Sequence, residues 1–218
     1  MTPRKDGWNL VLAGFWNRSI FLPEWVLPRF FPDYDMPGRE VQTEVALLPA
    51  LPLVYRTPQL AAEISSSRLT FVPQILNDEC LLRCEHMARE VLRILPETPV
   101  HGVGINFSYR EQLPPGHVLA VFSDGDEMEL TQQGWAIVER KLTRKLTRGD
   151  DALGLTLTLN GEAVVFDFNF HTDTGGEIEA ASRAVEDRRI LRLRDSAIDL
   201  LRETYHLKVE DSDADDAG

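Results

Sequence analysis

The sequence predicts an α+β fold, a mainly antiparallel sheet with two long amphipathic helices packed on one face. Apolar and polar residues alternate in several segments, as in strands with one buried side, and most clearly over residues 164–173. Apolar residues in 77–95 and 187–205 instead recur at helical spacing. The dipeptide Asn160-Gly161 between two alternating segments indicates a β-hairpin, so we expect antiparallel neighbours.

The first part of the chain is expected to supply short strands. Residues 8–15 are apolar on both sides, which is typical of a buried strand, and Gly14 suggests a bulge or a close neighbour there. Two prolines within 21–31 allow at most a short helix. Further strands are expected at 41–48, 51–55 and 68–72.

The segment 77–95 is predicted to be a helix with defined ends. Asn77 can cap its start, and Pro96 ends it. His86 falls on its polar side beside Glu85 and is expected to be solvated.

The second part of the chain is predicted to hold longer strands before a final helix. Residues 135–147 fit either a helix or a long strand, and the strand is preferred because Thr143 and Thr147 favour it. Other strands are expected at 101–110 and 118–122, the hairpin strands at 153–159 and 163–171, and the helix at 187–205.

Charge divides the chain into a body and a tail. The net charge is −12, and the last ten residues carry five acids and no base, which leaves −7 for the rest. We therefore expect one compact α+β domain over 1–208 and an acidic disordered tail over 209–218. An acidic body argues against nucleic acid or a membrane as a general partner.

The expected location is the cytoplasm. No segment has the continuous apolar length of a signal peptide or a membrane span. Cys80 and Cys84 lie four residues apart on the predicted helix, and two cysteines alone do not make a metal site. We expect them to be buried free thiols in a reducing compartment.

The polar side of residues 164–173 carries the candidate catalytic residues. His171, Asp173 and Asp167 offer nitrogen and oxygen ligands, which suggests a metal-assisted hydrolase. Residues two apart on a strand are about 6.6–6.8 Å apart, so Asp167 and His171 are too distant for one ion unless the strand bends. A hydrated sheet face is the simpler interpretation, and no cofactor is expected.

Partner binding is the other use of this polar side. Two further predicted strands also have one side of small or polar groups, so Asn106 and Asn169 are candidate partner-binding residues. Trp16, Trp25 and Phe30 belong to an aromatic-rich segment that is either core, which we prefer, or a docking surface. The basic residues at 140–148 and 188–194 lack interleaved aromatics, so we expect solvation or ion pairing rather than nucleic-acid binding.

Two segments carry a resemblance to known sequences. Residues 14–25 fit the pattern Gly-x-Trp-Asn-x-x-Ile-x-x-Pro-Glu-Trp, and residues 168–171 read Phe-Asn-Phe-His, with Gly-Ile-Asn-Phe between them at 104–107. With these segments the chain resembles a group of uncharacterised bacterial proteins of about this length. It is more faintly similar to a second, sporadically distributed bacterial family of unknown function. Neither resemblance implies a catalytic residue.

Three functional hypotheses follow. The first is a non-enzymatic cytoplasmic protein that acts through protein–protein binding or self-association, since no catalytic signature is present. The second is the metal-assisted hydrolase. The third, which rests on the distribution of the resembled families, is an accessory factor of a bacterial defence or regulatory cassette.

Overall fold

The computed structural model of the chain describes residues 1–32, 41–44, 51–123 and 125–210. These residues form one antiparallel sheet together with α-helices, which confirms the predicted α+β class. The strands are β1 (Thr2–Pro3), β2 (Asn9–Gly14), β3 (Gln42–Glu44), β4 (Leu53–Arg56), β5 (Leu60–Ile64), β6 (Arg68–Pro73), β7 (Val100–Glu111), β8 (Glu139–Arg148), β9 (Asp151–Asn160) and β10 (Ala163–Asp173).

The strands lie in the order β3-β4-β5-β6-β2-β7-β10-β9-β8, and β1 pairs with the end of β7. The long strands β7 and β10 are neighbours in the middle of the sheet, in a register that sets Asn106 opposite Asn169. The bulge expected at Gly14 is confirmed, because the register of β2 on β7 shifts between Ala13 and Gly14. The two edges of the sheet are the short β3 and the long β8.

The helices are α1 (Pro23–Phe30), α2 (Asp78–Ile94), α3 (Gly116–Leu119), α4 (Glu127–Gln132), α5 (Ile178–Arg183) and α6 (Arg189–Asp199). A π-helical turn at Leu200–Thr204 continues α6. Helix α2 packs against β2, β6 and α6, and α6 also packs against β7. The predicted cap of α2 is confirmed, since the Asn77 side chain accepts a hydrogen bond from the Cys80 amide at 2.9 Å. Among the described helices, none is both long and apolar enough to cross a membrane.

The core lies against the apolar side of β10. Phe166, Phe168 and Phe170 are buried, as predicted, while the polar side chains between them are exposed. The ring of Tyr205, which follows the π-helical turn, packs on Phe166 with centroids 4.9 Å apart. The C-terminal helix therefore covers the side of the sheet that the sequence identified as apolar.

The predicted hairpin is β9–β10. Asn160 pairs with Ala163, so the turn is Gly161-Glu162, one residue later than expected, and Gly161 has a φ of +59°. Glycine adopts this left-handed conformation without strain. The strand preferred for residues 135–147 is also confirmed, from Glu139 onward.

The strand predicted at 118–122 is wrong. The segment is helical, with α3 at Gly116–Leu119 followed by a 3₁₀ turn at Ala120–Phe122. Val118 and Phe122 are buried while Leu119 is exposed, which is a helical spacing. A short run of apolar residues has no period that separates the two structures, and the core decides between them.

Other boundaries differ in smaller ways. The strand predicted at 41–48 is seen as β3 at Gln42–Glu44, and its residues 45–48 lie outside the described residues. Strand β4 begins at Leu53 rather than at 51. Strand β5 and helices α4 and α5 were not predicted from the sequence, and the helix expected at 187–205 begins at Arg189.

The ordered body extends beyond the predicted boundary at 208. Val209 is only 7% exposed, and the Glu210 amide donates to the Met1 carbonyl at 3.0 Å. The Met1 amino group in turn donates to the Lys208 carbonyl at 3.0 Å and pairs with Glu111 at 3.2 Å. The rest of the predicted tail, residues 211–218, lies outside the described residues.

A buried carboxylate joins the two long helices. Glu85 of α2 is only 5% exposed, although the sequence places it beside His86 on the polar side. Its two oxygens accept hydrogen bonds from the backbone amides of Arg188, at 2.9 Å, and Ile190, at 2.8 Å. These amides open α6, so Glu85 caps a helix about a hundred residues away and fixes its position against α2.

Candidate binding surfaces

The polar sheet face is the solvent side of β2, β7, β10, β9 and β8. A row of amides crosses its centre: the Asn169 Nδ2 donates to Asn106 Oδ1, and the Asn106 Nδ2 donates to Asn9 Oδ1 at 2.7 Å. Asn106 and Asn169 were predicted from the sequence as partner-binding residues, and Asn9 was not. The signal for Asn9 is a polar residue at the start of an apolar strand. Among the described residues, this row leaves two side-chain atoms unpaired, the Asn9 Nδ2 and the Asn169 Oδ1.

Glycines form the floor beside this row. Gly104 faces the amide nitrogens of Asn106 and Asn169, which would lie 3.8 and 3.9 Å from an added Cβ. The His171 ring lies across Gly102, where an added Cβ would meet Cε1 at 2.8 Å. The centre of the face is therefore low and polar, and it presents amide groups rather than a cavity.

The candidate catalytic residues do not converge. Asp167 Oδ1 accepts a hydrogen bond from the Ser108 hydroxyl at 2.6 Å, and Asp173 Oδ1 accepts one from the Gly175 amide at 3.0 Å. His171 instead rests on Gly102. Within the described part of the chain, no three His, Cys, Asp or Glu side chains lie close enough to hold a metal ion. The residue types of a metal site are present without its geometry.

The aromatic candidates belong to the core. Trp16 is 4% exposed and Phe30 is 2% exposed, so neither ring has surface to offer a partner in this conformation. Trp25 is half-buried between Phe21 and Phe30, at centroid distances of 5.1 and 5.9 Å. This is the core interpretation that we preferred, and it corrects the docking alternative for Trp16 and Phe30.

Strand β8 carries the basic residues at 140–148, which the sequence predicted to be solvated or ion-paired, but its place at the edge of the sheet was not predicted. It forms the long edge of the sheet, and all ten of its residues are half-buried or exposed. The signal for it is the repeat Arg-Lys-Leu-Thr, at 140–143 and again at 144–147. On one side its arginines are held: Arg140 by Glu127, Arg144 by the Tyr205 hydroxyl at 2.7 Å and Arg148 by the Ser196 hydroxyl at 2.9 Å.

The other side of β8 belongs to the polar sheet face. Thr143 lies opposite Thr156 of β9, with their hydroxyls 3.3 Å apart, and Lys141 and Lys145 flank it. Neither lysine has an ion pair or a side-chain hydrogen bond to another described residue. The edge therefore presents two unpaired positive charges about 13 Å apart along the strand.

Exposed apolar side chains concentrate in the part of the chain that leads into β8. Eleven large apolar residues are exposed among those described, and seven of them fall between residues 113 and 146. Those seven are Leu113, Leu119, Met128, Trp135, Ile137, Val138 and Leu146. Three of them, Ile137, Val138 and Leu146, lie in β8 or directly before it, and exposed apolar patches are typical of contact regions. Near the start of β8, Ile137, Val138 and Leu159 line a recess of about 410 Å³.

A comparison of the sequence with protein-family models finds no match, and a search of curated proteins finds none either.

Proposed function

We propose that the protein acts by binding another protein, without catalysis of its own, and that an extended acidic segment of that partner adds to the sheet along β8. The observation that carries this proposal is the outer edge of β8, ten residues long, with which no other described strand pairs. Exposed apolar side chains lie in β8 and directly before it. An edge strand has unpaired backbone amides and carbonyls that an extended peptide can use.

The charges of β8 support an acidic partner. Lys141 and Lys145 lie on one side of the strand at positions where alternate residues of an added strand would face them. Opposite charges in directly facing positions stabilise strand pairing, and like charges destabilise it. Pairing of β8 with β8 of a second copy would set bases against bases, so an acidic strand suits this edge better.

The test is fluorescence anisotropy with a labelled ten-residue peptide of alternating Glu and Val. Reversing both charges with Lys141→Glu and Lys145→Glu is expected to weaken binding about tenfold, since each facing pair contributes about 0.2–1 kcal/mol. The matched control is Lys5→Glu with Lys208→Glu, which changes the net charge equally at two exposed lysines away from β8. The control should bind like the wild type.

An edge whose lysines serve only to prevent aggregation would give a different result. The wild type would then not bind the peptide, or both double variants would lose the same affinity, and either outcome contradicts the proposal. The mass of the wild type in solution tests self-association separately. If the wild type has twice the chain mass and the β8 variants keep that mass, the chain self-associates through a surface other than β8.

Three further points stay proposals. A cytoplasmic location is supported by the buried, unbridged thiols of Cys80 and Cys84. A shared face for the two long helices is supported by the packing of α2 on β2 and β6 and of α6 on β7 and α2. The metal-assisted hydrolase stays a prediction, which elemental analysis of the wild type and of His171→Ala would test. The accessory factor also stays a prediction, which gene neighbourhood would test.

A further inference from the structure

An acidic cleft of about 970 Å³ lies on the helical side of the sheet, away from β8. Its walls come from the first turn of α2 and from α6 with the π-helical turn, and the segment 209–210 forms part of its rim. Trp8, which directly precedes β2, and Tyr109 of β7 also line it, and both are buried. None of these residues belongs to the polar sheet face.

Tyr109 lines this cleft, and its hydroxyl is buried without a hydrogen-bond partner among the described residues. Tyr109 is 1% exposed, and its oxygen has no hydrogen bond to any described residue. The other two described tyrosines are paired: the Tyr55 hydroxyl donates to the Phe21 carbonyl at 2.7 Å, and the Tyr205 hydroxyl accepts from Arg144 at 2.7 Å. Buried polar groups in folded proteins are almost always hydrogen-bonded, so an unpaired hydroxyl on a residue that lines a cleft calls for an explanation, and a ligand in the cleft is one.

The charge of the cleft selects the sign of that ligand. Five acids and two arginines line it. One arginine, Arg194, is already held by Asp78 and by Asp195 at 2.8 Å. The exposed carboxylates of Glu79 and Asp199 have no ion pair among the described residues. An anion would meet an excess of negative charge here, and a cation would be attracted.

The spacing of the acids selects the shape of the ligand. No three of the acids described in the chain converge closely enough to hold a metal ion. Ile198 and Val209 lie among the charged groups and give the cleft apolar patches. Dispersed carboxylates around apolar patches suit a chain of methylene groups that carries several separated positive charges.

We propose that the acidic cleft binds alkylammonium groups, of the kind found in linear polyamines, with one ammonium on the Tyr109 hydroxyl and others on Glu79 and Asp199. The Tyr109 oxygen has almost no accessible surface in the structure, so the first ammonium reaches it when a side chain of the cleft wall moves aside. The phenol oxygen accepts a hydrogen bond from the ammonium, and the methylene chain lies against Ile198 and Val209. A lysine side chain of a protein carries the same group, so both sources are probed.

The test is calorimetric titration of the whole chain with spermidine at low salt. One spermidine per chain is expected to bind to the wild type, and Tyr109→Phe is expected to weaken binding about tenfold through the loss of one charge-assisted hydrogen bond. Glu79→Gln with Asp199→Asn should weaken it at least as much. Both carboxylates are exposed, so this double variant is expected to fold.

The matched control is Glu97→Gln with Glu162→Gln, which removes two charges from exposed acids outside the cleft. It should bind spermidine like the wild type. Tetralysine is the second probe. If Tyr109→Phe weakens its binding as much as it weakens the binding of spermidine, the site also takes lysine side chains, which supports the alkylammonium proposal. The proposal is overturned if the wild type does not bind, if all three variants bind alike, or if magnesium at equal concentration displaces spermidine.

Discussion

Removing the Tyr109 hydroxyl is expected to stabilise the protein in the absence of ligand. Tyr109→Phe keeps the ring, which packs on Trp8 at 5.5 Å and on Phe168 at 6.0 Å between centroids, and deletes one oxygen that has no partner. A buried hydroxyl that lost its hydrogen bonds to water on folding lowers the free energy of unfolding by about 1–3 kcal/mol. Most substitutions in a core have the opposite effect.

The matched controls are the same substitution at the two paired tyrosines. Tyr55→Phe leaves the Phe21 carbonyl without its donor, and Tyr205→Phe removes the acceptor of Arg144. Each should lower the free energy of unfolding by about 1–2 kcal/mol. For a chain of this size, 1 kcal/mol corresponds to about 2–4 °C in Tm. Urea unfolding followed by circular dichroism, with thermal scans, measures all three variants.

Alkaline pH should widen the difference. Burial is the main cause that raises the pKa of Tyr109 in the folded chain, so the folded state holds this proton more strongly than the unfolded state. The stability that the raised pKa provides is present below the unfolded value of about 10 and is lost as the pH rises toward the folded value. Tyr109→Phe lacks this loss, so its advantage should grow above pH 10. A Tyr109→Phe variant that unfolds as easily as Tyr55→Phe would show that the hydroxyl is satisfied in solution, and the cleft would lose its chemical support.

Other predictions concern the core and the polar sheet face. Glu85→Ala should lower the free energy of unfolding by about 3 kcal/mol, because two buried amides at the start of α6 lose their acceptor. Urea unfolding measures this change, and a change below about 1 kcal/mol would contradict the capping role. Burial raises the pKa of the Cys80 and Cys84 thiols, so neither thiol should react with a thiol reagent at pH 8 until the chain is unfolded. Rapid labelling of the native protein would contradict this prediction. Gly102→Ala should destabilise the chain, and His171→Ala should relieve most of that cost; a double-mutant cycle without coupling would show that the ring does not lie on Gly102.

The features that sequence could predict are those decided by near neighbours. The alternation around Phe168 requires a strand with one buried side, whatever covers it. Asn77 and the apolar spacing after it define α2 in the same way. The hairpin followed from a glycine between two alternating segments, and only its turn moved by one residue.

The features that escaped prediction depend on distant partners. Glu85 falls on the polar side of α2 by local spacing, and it is buried because the start of α6 needs an acceptor there. The cleft escaped for the same reason, since Tyr109 comes from β7 and its walls from two helices far along the chain. For the candidate metal ligands, sequence supplied the residue types, and the spacing along one strand already argued against convergence.

The contrast between Glu85 and Tyr109 bears directly on what the cleft does. Both are buried polar groups near α6, and Glu85 is fully paired while the Tyr109 oxygen is not. Asp195 and Arg194 line the same cleft as Tyr109, so its hydroxyl is not unpaired for lack of possible donors and acceptors. Since Glu85 holds the start of α6, Glu85→Ala should also weaken spermidine binding, although Glu85 does not line the cleft. Calorimetry under conditions where that variant remains folded tests this link: unchanged affinity would show that α6 keeps its position without the cap.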